Sequence, residues 1–220
     1  MTSDSPDHLP NRLMPDREWN ELYQFNSAAD ECFAEDNEWH TIPIPAGMPA
    51  KDVYRLIPSA EHFEYGGHLT NSHIHYVECE ERSASHLSSM PCTFHTHPTN
   101  AEGTEPDLPS ARDVYSFLKW RHIRAITVGK TLIWILDKSQ NTIPVIRQLA
   151  DWERENMLSA FKKIEVQGSK DPTTDYAATA LKNLGVSWPR SRAEVSTHFR
   201  SAWPDQLRNT LGIDVTLLNR

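Results

Sequence analysis

A chain of 220 residues with 22 Lys and Arg against 30 Asp and Glu, a net charge of −8 and a pI near 5.7 is sized for one domain, or one domain with an appendage. The acidic balance argues against the basic surface that nucleic-acid binding requires. Three cysteines, Cys32, Cys79 and Cys92, give no disulfide framework and fit a reducing compartment.

Residues 1–10 are polar, without the basic start and apolar core of a signal peptide. No apolar run reaches the roughly 18 residues of a membrane span. The expectation is a soluble, cytoplasmic protein with no membrane and no nucleic-acid partner. Residues 1–15 carry Pro6, Pro10 and Pro15 among polar neighbours and suit a loose tail. In 16–36, Trp19, Leu22 and Tyr23 share a helical face. Residues 41–50, rich in proline, suit a linker or loop. Residues 53–57 form a short strand or helix end before Pro58.

Residues 63–69 and 74–80 favour strands, with Thr70-Asn71-Ser72 as a hairpin turn. Another strand is predicted over 90–96, then a loop over 99–109 with Gly103, Pro106 and Pro109. Over 110–122, Val114, Phe117, Leu118 and Arg121 stand at helical spacing. Residues 124–128 and 131–137 form a hairpin through Gly129-Lys130, and 142–146 one more strand. After 148 the pattern turns helical, over 149–164, over 176–184 before Gly185, and over 191–211. Trp152, Trp188 and Trp203 fit a core better than an interface. The predicted fold is α/β (α+β), a mixed central sheet with flanking helices. It divides into a tail and helix over 1–50, a core domain over 51–147 and a mostly helical C-terminal extension over 148–220.

His95 and His97 stand one residue apart at the end of an apolar run, so in a strand both imidazoles face one side. Pro98 ends that strand. Ser110-x-x-Asp113 follows, a helix start whose plain reading is a capping box and whose carboxylate can also serve as a third ligand. Two imidazoles, one carboxylate and an open position make a catalytic zinc site. Cys92 has the opposite strand parity and fits the core. His73 and His75 also alternate, but no proline stop or helix-start carboxylate follows closely, so a solvated strand face is expected there. A hydrolytic site also needs a base. Glu64, in an aromatic and apolar stretch before Gly66 and Gly67, is the first candidate; Glu61, Glu78 and Glu80 are the alternatives.

The order Glu64-x-x-Gly67-x-Leu69, His95-x-His97-Pro98, Ser110-x-x-Asp113 resembles the JAMM (MPN-positive, JAB) zinc metalloproteases, and Glu64-Tyr65-Gly66-Gly67 looks like their bacterial members. The resemblance covers roughly residues 52–147. It implies a JAMM/MPN-like domain in which His95, His97 and Asp113 hold Zn2+, Glu64 is the general base and Ser110 stabilises the oxyanion or orients the water. It implies a metallopeptidase or isopeptidase whose partner is a protein substrate, a ubiquitin-like or other protein tail. The acidic 99–109 segment would be a lid or substrate-reading loop. The competing readings are a non-catalytic MPN-like scaffold that docks a partner through 148–220, and a toxin-like zinc hydrolase of a bacterial conflict system.

Overall fold

The computed structural model describes residues 13–22, 38–59, 61–79, 92–98, 108–188 and 197–220. In chain order these form α1 (Asp16–Leu22), β1 (His40–Pro43), α2 (Ala50–Arg55), β2 (Glu64–Leu69), β3 (His73–Cys79), β4 (Cys92–Thr96), α3 (Ala111–Lys119), β5 (Arg124–Val128), β6 (Leu132–Lys138), α4 (Thr142–Val166), α5 (Pro172–Asn183), α6 (Thr197–Leu211) and β7 (Ile213–Asn219). The strands build one mixed seven-stranded sheet in the order β1-β3-β2-β4-β5-β6-β7. The mixed α/β class follows. Among the described residues no helix is long and apolar enough to cross a membrane.

The sheet is covered on both faces, so β4, β5 and β6 are buried at nearly every position. Phe94, Ile126, Val128, Ile133 and Ile135 pack with Ala50, Val53 and Tyr54 of α2 on one face. Ala125, Trp134, Leu136 and Ile213 pack on the other with Phe117 and Leu118 of α3 and residues of α4, α5 and α6. Trp203 lies edge-on between Trp134, 5.3 Å away, and Trp188, 4.6 Å away. Trp203 is core, as expected, and Trp152 and Trp188 are half-buried against it.

Local chemistry sets the connections. The β2–β3 turn closes because the Thr70 N–H donates to the His73 carbonyl while the His73 N–H donates to the Thr70 hydroxyl. β4 and β5 are parallel and therefore need a crossover, which α3 provides. Gly67 lets Phe94 lie close beneath β2; a Cβ there would stand 2.1 Å from the His75 carbonyl oxygen and 2.8 Å from the Phe94 ring.

Three expectations are corrected. Residues 142–146 are the first turn of α4, not a strand. Their β-branched side chains suit a strand, but Ile146, Leu149, Ala150 and Glu153 are buried at helical spacing, and Pro144 falls in the first turn, where its missing N–H costs nothing. Residues 40–43 form an edge strand on β3 rather than linker. The sheet also draws strands from all three expected segments: the 147/148 boundary falls inside α4, and β7 pairs with β6 from Leu132↔Asn219 to Lys138↔Ile213. Gly212 makes that return possible, with φ +65 and a site where a Cβ would meet the Asn141 carbonyl at 2.5–2.7 Å.

Lys138 is buried at the end of β6. Its ammonium donates to the Trp120 carbonyl and lies 4.9 Å from the centre of the Trp19 ring and 4.7 Å from that of Phe117. A carbonyl and two ring faces offset less than a counter-ion would, and burial holds the amine well below the ordinary lysine pKa. The unfolded chain binds that proton up to about pH 10.4, so stability rises with pH toward that value. Lys138→Met is expected to be more stable than wild type at neutral pH and to lack this rise. Urea unfolding of both proteins at neutral and alkaline pH checks it, and equal slopes would refute it. Gly67→Ala is expected to cost about 1–3 kcal/mol in the same assay, the ordinary penalty of overpacking.

Candidate metal centre

The β4-α3-β5 crossover creates the site. It brings the N-terminus of α3 back over the carboxyl end of β4, where α/β sheets bind their ligands. His95 sits in the middle of the sheet, level with Gly66 of β2 and Thr127 of β5. His97 follows directly after β4 and stays in register because its N–H donates to the Val128 carbonyl at 2.9 Å.

Asp113 reaches the same point from the first turn of α3. Its position is fixed by a complete capping box: the Ser110 hydroxyl accepts from the Asp113 N–H at 3.1 Å, and Asp113 Oδ2 accepts from the Ser110 N–H. The capping reading and the ligand reading are therefore compatible. A carboxylate locked by its own helix start needs little ordering to serve as a ligand.

Three ligand atoms converge. His95 Nε2 lies 3.2 Å from His97 Nε2 and 3.3 Å from Asp113 Oδ2, and His97 Nε2 lies 3.5 Å from the same oxygen. Ligands held about 2.0–2.1 Å from a tetrahedral ion stand about 3.3–3.4 Å apart, so this triangle has the dimensions of one face of a tetrahedral coordination sphere. The residues present fit a metal ion, and among the described residues no other set of three ligating side chains converges as closely.

The electrostatics are those of a cation site. Burial alone would push the His95 pKa down; the Asp113 carboxylate, its hydrogen bond and the charge of Glu64 together raise it. Burial alone would raise Asp113; the charges and hydrogen bonds of His95 and His97 hold it well below the usual carboxylate range. The pocket favours positive charge at the centre of the triangle, whether supplied by protons or by a metal ion.

Glu64 is brought to this site. It starts β2, the antiparallel neighbour of β4, and the register Gly66↔His95 continued by one pair of positions sets Glu64 level with His97 on the face that carries both histidines. It is 9% exposed, and its charge acts on His95. Of the alternative bases, Glu61 and Glu78 are exposed, and Glu80 lies outside the described residues. Cys92 is buried in the opposite core, as its parity predicted. Of the expected 99–109 lid, residues 99–107 lie outside the described residues; Leu108 is buried in the core beneath α3. Thr96 is a positioning residue that the motif reading passed over: its hydroxyl accepts from the Tyr65 N–H at 2.8 Å and ties β2 to β4 beside Glu64. Its only sequence signal is its place between the two histidines.

Comparison with family models, with curated proteins and with solved structures found no match.

A divalent ion that binds only the folded state stabilises it by about 2.7 kcal/mol at 100 times its Kd. Zinc is therefore expected to raise the Tm of the apo protein, EDTA to reverse the rise, and His97→Ala to abolish most of it. The gain should shrink as pH falls, because the proton that His95 holds more tightly than an ordinary imidazole competes with the metal. Thermal melts with and without zinc across a pH series measure both effects.

Proposed function

We propose that the chain is a JAMM-type zinc metallopeptidase with a JAMM/MPN-like fold, hydrolysing an amide or isopeptide bond at the tail of a ubiquitin-like or other protein substrate. The observation that carries this reading is the pairing of a tetrahedral-sized His95–His97–Asp113 triangle with a buried glutamate on the adjacent strand of the same face. The order of the five residues in the chain supports it further.

Zinc, when bound, supplies Lewis acidity toward the scissile carbonyl and toward water. The protein supplies the rest. His95, His97 and Asp113 cover one side of the coordination sphere and leave the other toward substrate. Glu64, in its sheltered position, takes the proton of the attacking water and returns it to the amine that leaves. Ser110 accepts one hydrogen bond from the Asp113 N–H and keeps its own hydroxyl proton. That proton is available to the oxyanion of the tetrahedral intermediate, on a residue that the helix start holds still.

The roles separate by mutation. Glu64→Gln is expected to retain metal and lower kcat by about 10²–10⁴, the range for loss of an acid–base group. Ser110→Ala is expected to lower kcat by about 10²–10³ while costing about 1 kcal/mol of stability through the lost cap; Ser110→Thr should recover the cap. Cleavage of linear and lysine-linked ubiquitin-like fusions, with zinc content measured on each variant, decides. A wild-type protein that gains no metal at neutral pH would overturn the enzyme reading in favour of the scaffold.

A further inference from the structure

The second His-x-His of the chain, His73-Ile74-His75, stands on the same sheet face as the first. His68 pairs with His75 across the hairpin and with Thr93 across β4, and Thr93 and His95 share a face. His68, His73 and His75 are all half-buried, so the solvated strand face expected of His73 and His75 is replaced by an imidazole cluster that includes His68. The rings of His73 and His75 lie 5.7 Å apart at 39°, close to the 5.1 Å and 46° of His95 and His97. His68 stacks on His75 at 4.8 Å, with the edge of Trp39 against it.

The hydrogen bonds prepare ligands. Ser72 Oγ lies 2.8 Å from His73 Nδ1, and Thr41 Oγ1 lies 3.3 Å from His75 Nδ1. Each hydroxyl can accept from Nδ1–H, which fixes the tautomer that leaves the Nε2 lone pair free, as the second shell of a metal site does.

We propose that His73 and His75, with His68 across the hairpin, form a second metal site that takes a borderline divalent ion such as zinc or copper(II), independent of the His95–His97–Asp113 centre. An all-imidazole donor set selects such ions over calcium or magnesium. Its ligand atoms converge less closely than those of the first centre, so the rings rotate inward on binding and the site is the weaker of the two.

The test is zinc stoichiometry by equilibrium dialysis on the full chain, with copper(II) EPR as a second readout. The proteins are wild type, His97→Ala/Asp113→Asn, His73→Asn/His75→Asn, and the control His40→Asn, whose exposed ring sits opposite Tyr76 on the other face. Two equivalents in wild type and in the control, and one in each double variant, are expected. The His97→Ala/Asp113→Asn protein should also show a copper signal with several nitrogen ligands that His73→Asn removes. If His73→Asn/His75→Asn does not fold, His73→Asn alone, next to the turn, makes the same comparison. A single wild-type equivalent lost only with the first pair of substitutions would overturn this proposal and leave the peptidase reading intact. A single equivalent lost only with the second pair would do the reverse.

Discussion

The parallel pairing of β4 with β5 governs the rest of the structure. Two parallel strands cannot be joined by a tight turn, so the chain leaves β4, crosses the sheet as α3 and re-enters at β5. That detour sets the first turn of a helix beside the last residues of a strand. His95 and His97 are bound to the strand geometry, and Asp113 to the helix geometry. Their three ligand atoms meet within 3.5 Å because α3 packs on the sheet to which β4 belongs. Antiparallel β2 then sets Glu64 across from the pair without adding a loop.

The helix that carries Asp113 is itself held from behind. Tyr115 and Lys119, one turn apart on α3, both bond Glu153 of α4, and Tyr176 of α5 reaches the same carboxylate oxygen at 3.3 Å. The Lys119–Glu153 distance is 3.1 Å, with both side chains largely buried. Buried pairs of this kind add little net stability but are costly to break from one side. They fix the orientation of α3 against α4 and α5. The C-terminal helices are thus a support for the site, whatever else they bind.

Much of the site was legible before the fold, because strand parity and capping are local rules. The i, i+2 spacing of His95 and His97, the opposite parity of Cys92 and the Ser110-x-x-Asp113 helix start each needed only a few consecutive residues. Glu64 as the sheltered carboxylate needed register, which tells it apart from exposed Glu61 and Glu78. Residues 142–146 misled because β-branched side chains suit a strand taken alone, and the helical face is visible only when Leu149, Ala150 and Glu153 are read with them. The imidazole cluster was hidden for another reason: His68 and His75 meet only through the β2–β3 pairing. β7 gave little signal, since Leu217 and Leu218 break its alternation and its partner lies far back in the chain.

That distance between β6 and β7 bears on how the protein reaches this state. β6 is a neighbour of β5 through a short turn, but its other edge is satisfied only by residues 213–219, after three helices. Closing so long a loop is entropically uphill until the contacts form, and such pairings come late in folding. Until then, the edge of β6 presents Ile133, Trp134, Ile135 and Leu136 as an open, apolar template for strand addition. The candidate metal site, built from β2, β4 and α3, lies on the other side of β5. The candidate site and the strand that covers the β6 edge therefore belong to different halves of one sheet.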